Sequence, residues 1–160
     1  MPTKKKTIKQ TKQKMVSFDE AIVSFWKKYF VFSGTAQRSE FWWWTLFNIF
    51  VSLTIAVAFM FSPFMKDFFD AIWFVATLIP WLALYSRRFH DAGYSSKWLF
   101  IPMAILTFVF PILFVLASLS DTEILSGLLG VFVLALVGFA VFWFVVLLTP
   151  SKLKNNPYRK

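Results

Sequence analysis

Two short polar stretches hold most of the side chains in this chain that could do chemistry. The first carries Arg38 and Glu40 within the run Gly34 to Trp42, and the second carries Arg87, Arg88, His90 and Asp91 just before Gly93. Arginine forks hold phosphate or carboxylate oxygens bidentately, so these six residues read as an interfacial cluster for anionic lipid head groups or a partner protein. A cluster that only locks the chain's hairpins together is the competing reading. On a helix Arg87, His90 and Asp91 stand at i, i+3 and i+4 and share a face, which puts Asp91 within reach of Arg87. His90 and Asp91 are neighbours, about 100° apart on a helix, so their spacing does not make a catalytic dyad. No nucleophile or paired carboxylate accompanies His90, and the chain has one His and no Cys, which excludes thiolate zinc sites, disulfides and thiol catalysis. No catalytic residue, metal or cofactor is expected.

The elements that must position this cluster follow from composition. Of 160 residues, 58% are apolar, 21% aromatic and 16% charged. A chain this short cannot hide so much apolar surface inside itself, which excludes an ordinary water-soluble globule and points to lipid as solvent. About 20 apolar residues span a bilayer as a helix. Four stretches qualify, near 41–62, 68–86, 98–118 and 127–149, each free of Lys and Arg. The second is the weakest, because Asp70 lies in its first turn. The expected architecture is all-α: a polytopic membrane protein of four transmembrane helices, preceded by an interfacial amphipathic helix.

Charge then sets orientation. Sixteen of the 17 Lys and Arg fall before the first span, between the second and third, or after the fourth; the other two links carry Lys66 with Asp67, Asp70, Asp121 and Glu123. The formal +9 thus separates into +12 on one side and −3 on the other. By the positive-inside rule both termini and the central link are cytoplasmic. That placement accounts for the basic excess without nucleic-acid binding, for which no reading motif is present.

Residues 1–16, with Lys4, Lys5, Lys6, Lys9, Lys12 and Lys14 among Thr and Gln, read as a disordered basic tail with no signal-peptide pattern. Residues 17–150 form one membrane domain and 151–160 a basic cytoplasmic tail. Ser17 and Glu20 have capping-box spacing, and Phe18, Ala21, Ile22, Phe25, Trp26, Tyr29 and Phe30 recur on one face, predicting an amphipathic helix over 17–32. Pro80 and Pro111 fall inside predicted spans, where each frees a carbonyl four residues back, Ala76 and Thr107, and favours a kink. Gly93 is placed to end the second span, and Ser95 or Ser96 to cap the third. Ser126 and Gly130, with Gly138 further on, give a weak helix-packing signal. No ionisable residue falls mid-span, which weighs against an ion-coupled transporter.

At the two polar stretches the chain resembles a family of bacterial inner-membrane proteins, domain of unknown function 805. Phe32, Gly34, Arg38, Glu40, Phe41 and Trp42 match its first motif. Pro80, Arg87, Arg88, His90, Asp91, Ser95 and Trp98 match its second. Thr35 stands where the family has Arg, and the closing motif is reduced to Asn156, Pro157 and Tyr158. The resemblance implies a small multi-pass protein of the bacterial inner membrane and brings no established reaction. The leading expectation is therefore a non-enzymatic membrane protein whose partners are anionic lipids, a membrane protein or a second copy of itself. A small-solute transporter or channel subunit is the alternative, and an enzyme using His90 on a phosphorylated substrate comes last.

Overall fold

A computed structural model describes residues 15–119 and 123–159, apart from the side chains of 117 and 123–126. Most of the expected basic tail, residues 1–14, lies outside the described residues. Every regular element among those described is helical: α1 (Phe18–Lys27), α2 (Arg38–Ala58), α3 (Pro63–Ala92), α4 (Lys97–Ala104), a π-helical segment (Ile105–Val109), α5 (Phe110–Leu119) and α6 (Glu123–Leu148). Four helical stretches are long and apolar enough to cross a membrane: Arg38–Ala58, Pro63–Ala92, Lys97–Leu116 and Gly127–Leu148. At most 22% of any of these apolar windows is buried within the protein, so the spans present their side chains mainly outward.

Helices α2 and α3 begin three and five residues before the expected spans, taking Arg38, Glu40 and Lys66 into their first turns and Asp70 into the second turn of α3. Asp70 does not weaken α3, because Lys66 Nζ lies 2.8 Å from its Oδ2 one turn away. Thirty residues make α3 about 45 Å long, well beyond the roughly 30 Å hydrocarbon core. Its last turns therefore carry polar residues beyond its own apolar stretch, buried among the ends of the other helices. Gly93, at φ 89°, stops it: Tyr94 N–H donates to Phe89 O at 2.9 Å and Gly93 N–H to His90 O at 3.0 Å, the paired bonds of a Schellman ending.

Helix α1 is shorter than the predicted 17–32 and ends at Lys27. Lys28 N–H closes the last turn on Ser24 O, and residues 28–30 form a turn. In that turn the Tyr29 hydroxyl donates to Ala76 O at 2.9 Å. Ala76 carries the carbonyl that Pro80 leaves without its intrahelical partner, so α3 remains helical through Pro80 with that group satisfied from another element. Pro111 is accommodated differently. The preceding segment widens into a π turn, in which Phe110 N–H bonds to Ile105 O, five residues back.

Two apolar clusters form the packed core. Phe25, Ala36, Phe41, Trp44, Leu84 and Leu147 make one, and Phe89, Ala92, Leu99 and Val146 the other. Both lie where the start of α2, the end of α3, the start of α4 and the end of α6 converge. Gly130 and Gly138 of α6 make no close helix contact within this chain, since a Cβ added at either would meet nothing within 4 Å.

Candidate functional site

The same convergence gathers the charged residues. Glu40 sits in the first turn of α2, where the helix dipole favours an anion. Its Oε1 accepts from Arg87 Nη1 of α3 at 3.0 Å and from Ser24 Oγ of α1 at 2.8 Å, with Lys28 Nζ 3.7 Å away. Arg87 also donates from Nε to Ala83 O at 3.3 Å, while its Nη2 is buried with no acceptor among the described residues. One carboxylate thus ties three helices together inside the protein.

Arg88 turns the other way, to the open end of α6. A helix leaves its last carbonyls unpaired, with partial negative charge. Arg88 Nη2 donates to Leu147 O at 3.0 Å, to Val146 O at 3.3 Å and to Thr149 O, and Nε donates to Leu147 O at 3.3 Å. Arg38 Nη1 reaches Leu148 O from outside at 3.4 Å. The remaining Arg88 nitrogen, Nη1, donates to Asp91 Oδ2 at 2.9 Å. Asp91 is fully buried and collects more: Ser151 Oγ donates to Oδ2, and Arg159 Nη2 donates to Oδ1 at 2.7 Å. The expected Arg87–Asp91 pair does not form, because Arg87 faces α2 and finds Glu40 there.

His90 bridges two loops. Its Nδ1 is 3.1 Å from Gly34 O and its Nε2 2.7 Å from Ser96 Oγ; Ser96 Oγ is 2.6 Å from Ser86 Oγ, which donates to Phe32 O at 3.0 Å. A carbonyl can only accept, so Nδ1 carries a proton; with Ser86 donating to Phe32 O, the one Ser96 hydroxyl proton is shared between Ser86 Oγ and His90 Nε2. Gly34 presents that carbonyl from a left-handed turn at φ 83°. Ser96 stands at the cap position of α4, but its hydroxyl serves His90 and Ser86 rather than the helix. The imidazole is stacked on Tyr158, centroids 4.0 Å apart and planes 9° apart.

The segment after α6, expected as a basic tail, folds back onto this end. Lys152 N–H donates to Asp91 O at 2.8 Å, and Asn156 Nδ2 donates to His90 O at 2.8 Å, to Asp91 O at 3.3 Å and to Lys152 O at 3.2 Å. Asn156 therefore satisfies the last carbonyls of α3. Between Ser33, Thr35, His90, Tyr158 and Arg159 an open polar groove of about 500 Å³ remains.

All six sequence-predicted residues, Arg38, Glu40, Arg87, Arg88, His90 and Asp91, thus occupy one end of the bundle. Five are buried and engaged within the protein; Arg38 is exposed. Sequence reasoning did not connect Ser24, Ser86, Ser96, Ser151 and Asn156 to the cluster, although their hydroxyls and amide complete the network. Of these, Ser96 had a signal as a candidate helix cap and Asn156 one in the reduced closing motif.

The matching of this network to the two sequence motifs is reflected in comparison with known proteins. The family described as protein of unknown function (DUF805) matches residues 29–160. The chain belongs to the DUF805 family. The match takes in α2 through α6 and every residue of the cluster. Two curated relatives, both inner membrane protein YhaI, from Escherichia coli K12 and from Escherichia coli O157:H7, are each 37% identical over 76 residues, which is 48% of this chain. The matched part covers 64% of those relatives' own length. No solved structure matches the chain. With four candidate spans and inner-membrane relatives, this DUF805 chain is an all-helical inner-membrane protein.

Proposed function

We propose that the protein is non-catalytic, that its basic end faces the cytoplasm, and that this end binds anionic lipid head groups. One observation carries the reading: the charges at this end are divided between interior and rim. Arg87 and Arg88 are neutralised inside by Glu40 and Asp91, whereas Lys27, Arg38, Lys97, Lys152 and Lys154 stay exposed. Trp26, Trp42, Trp43 and Trp98, each between 38% and 51% exposed, lie among those cations. Exposed Trp beside Lys and Arg is what a helix bundle presents at head-group level. In this reading α1 lies in the interface with Trp26 and Lys27 outward. The buried Arg, His, Asp and Glu side chains frame the surface, and Arg38 is their one member that meets lipid phosphate.

The test is reconstitution into vesicles of phosphatidylcholine with or without phosphatidylglycerol. Each cation near an anionic surface is worth about 1 kcal/mol at moderate salt. Phosphatidylglycerol is expected to raise the unfolding temperature of the native chain, and much less that of a Lys27→Gln, Arg38→Gln, Lys152→Gln, Lys154→Gln variant. An equal response from both proteins would sink the reading.

A further inference from the structure

Along the third span, an apolar groove opens between α4 and α6. Aromatic pairs join the two sides near its ends: Trp98 against Phe142, centroids 5.6 Å apart, and Phe110 against Phe132, 6.1 Å apart. Trp143 Nε1 donates to Trp98 O at 2.8 Å and fixes the first of these ends. Between the bridges Ile101 and Ile105 face Ala135 and Phe139 across about 480 Å³, within the size range of small-molecule sites. The small Ala135 side chain leaves this room, and the π segment that absorbs Pro111 begins at Ile105 on the groove wall.

A second groove of similar size shares Pro102, Leu136 and Phe139 with the first and is otherwise lined by Trp81, Met103, Val137 and Ala140 among others. The two differ in charge. Among the described residues lining the first groove Lys97 is the charged one, at its basic end, while those of the second are all uncharged.

We infer that the groove between Trp98 and Phe110 on one side and Phe132 and Phe142 on the other holds one acyl chain of an anionic phospholipid, whose phosphate sits on Lys97. An apolar channel at bilayer depth that ends on an exposed ammonium matches such a lipid at both ends: hydrocarbon on Ile101, Ile105 and Phe139, and phosphate oxygens on Lys97 Nζ. The neutral second groove offers hydrocarbon contact alone and has no means to choose a head group. This inference rests on the head-group reading above for the class of lipid, but it places a single retained molecule at a defined position.

Native mass spectrometry of the full chain, purified from bicelles of phosphatidylglycerol and phosphatidylcholine, tests it. The native chain is expected to retain one phosphatidylglycerol. Lys97→Gln should lower its preference over phosphatidylcholine about fivefold, as expected for the loss of one cation beside a phosphate. Ala135→Trp fills the first groove and should remove the retained lipid, while Ala140→Trp, which fills the second, should keep it. Retention of phosphatidylglycerol by Ala135→Trp at the native level, or equal loss in Ala140→Trp, would overturn the inference. So would an Ala135→Trp chain that keeps its lipid but loses a self-association shown by the native chain, since the groove would then seat a second copy. The Lys27, Arg38, Lys152 and Lys154 variant leaves Lys97 and the groove intact. If it loses nothing in vesicles while Ala135→Trp loses its lipid, the rim reading fails and the groove stands.

Discussion

Arg87 and Glu40 form an ion pair between two helices, Nη1 to Oε1 at 3.0 Å, with 1% and 6% of their side chains exposed. Because both ions are out of water, removing one strands the other, at a cost of about 3–5 kcal/mol, whereas replacing both with apolar residues of similar volume is close to neutral. Arg87→Met and Glu40→Leu are each expected to destabilise the protein strongly, and the double variant by much less than their sum. Unfolding by titration of sodium dodecyl sulfate into mild detergent measures all three. Strict additivity would mean that the pair contributes nothing beyond its two side chains.

The four spans could be read from the sequence because each needs only about 20 apolar residues in a row, a property local to the chain. The six cluster residues could be located for a similar reason, since polar groups flanking apolar runs must lie near the span ends. Their pairing was another matter. Asp91 has Arg87 four residues back and Arg88 three back, and both spacings allow a helical pair. The choice is made by α6, whose last carbonyls draw Arg88, and by α2, which presents Glu40 to Arg87. Neither is visible in the local pattern. The bond from Tyr29 to Ala76 spans 47 residues and is likewise outside any periodicity. Pro80 and Pro111 gave equal warning of freed carbonyls, yet at Pro80 a tyrosine hydroxyl meets the carbonyl, whereas Pro111 is preceded by a π turn.

Tyr29 and Pro80 should therefore be energetically coupled. Tyr29→Phe removes the donor to Ala76 O and leaves a carbonyl unsatisfied, at about 1–3 kcal/mol. In a Pro80→Ala background the backbone N–H at position 80 can bond Ala76 O within the helix, so the tyrosine hydroxyl is no longer required. Tyr29→Phe is expected to cost less there than in the native sequence. A double-mutant cycle on unfolding free energies reads the difference, and equal costs in both backgrounds would refute the coupling.

Asp91 holds the segment after α6 through Arg159 Nη2 and Ser151 Oγ while also accepting from Arg88. Hydrogen bonds to a charged group contribute about 1.5–3 kcal/mol each. Asp91→Asn keeps the size but loses the charge, and is expected to open residues 151–159 about ten- to a hundredfold more often. Trypsin cleavage after Lys152 and Lys154 should accelerate accordingly, while cleavage after Lys66, at the far end, should be unchanged. Equal acceleration at both ends would point to global unfolding instead.

The expected orientation rests on the division of Lys and Arg along the sequence, sixteen before the first span, between the second and third or after the fourth, and Lys66 alone in the other two links. The structure places the starts of α2 and α4 together with the ends of α3 and α6, so the described cations among them, Lys27, Lys28, Arg38, Arg87, Arg88, Lys97, Lys152, Lys154 and Arg159, act as one block on a single side. With no native Cys, a single introduced thiol reports its side without background. Phe61 lies between α2 and α3 and is 91% exposed; Leu153 lies beyond α6 and is 48% exposed. A Phe61→Cys chain in intact cells should react with an impermeant maleimide added outside, and a Leu153→Cys chain only after the membrane is permeabilised. Neither substitution removes a charge, so the orienting signal is kept in both. The reverse labelling pattern would put the basic rim on the outer face, away from the cytoplasmic leaflet whose anionic lipids it is proposed to bind, and the head-group reading would fall with it.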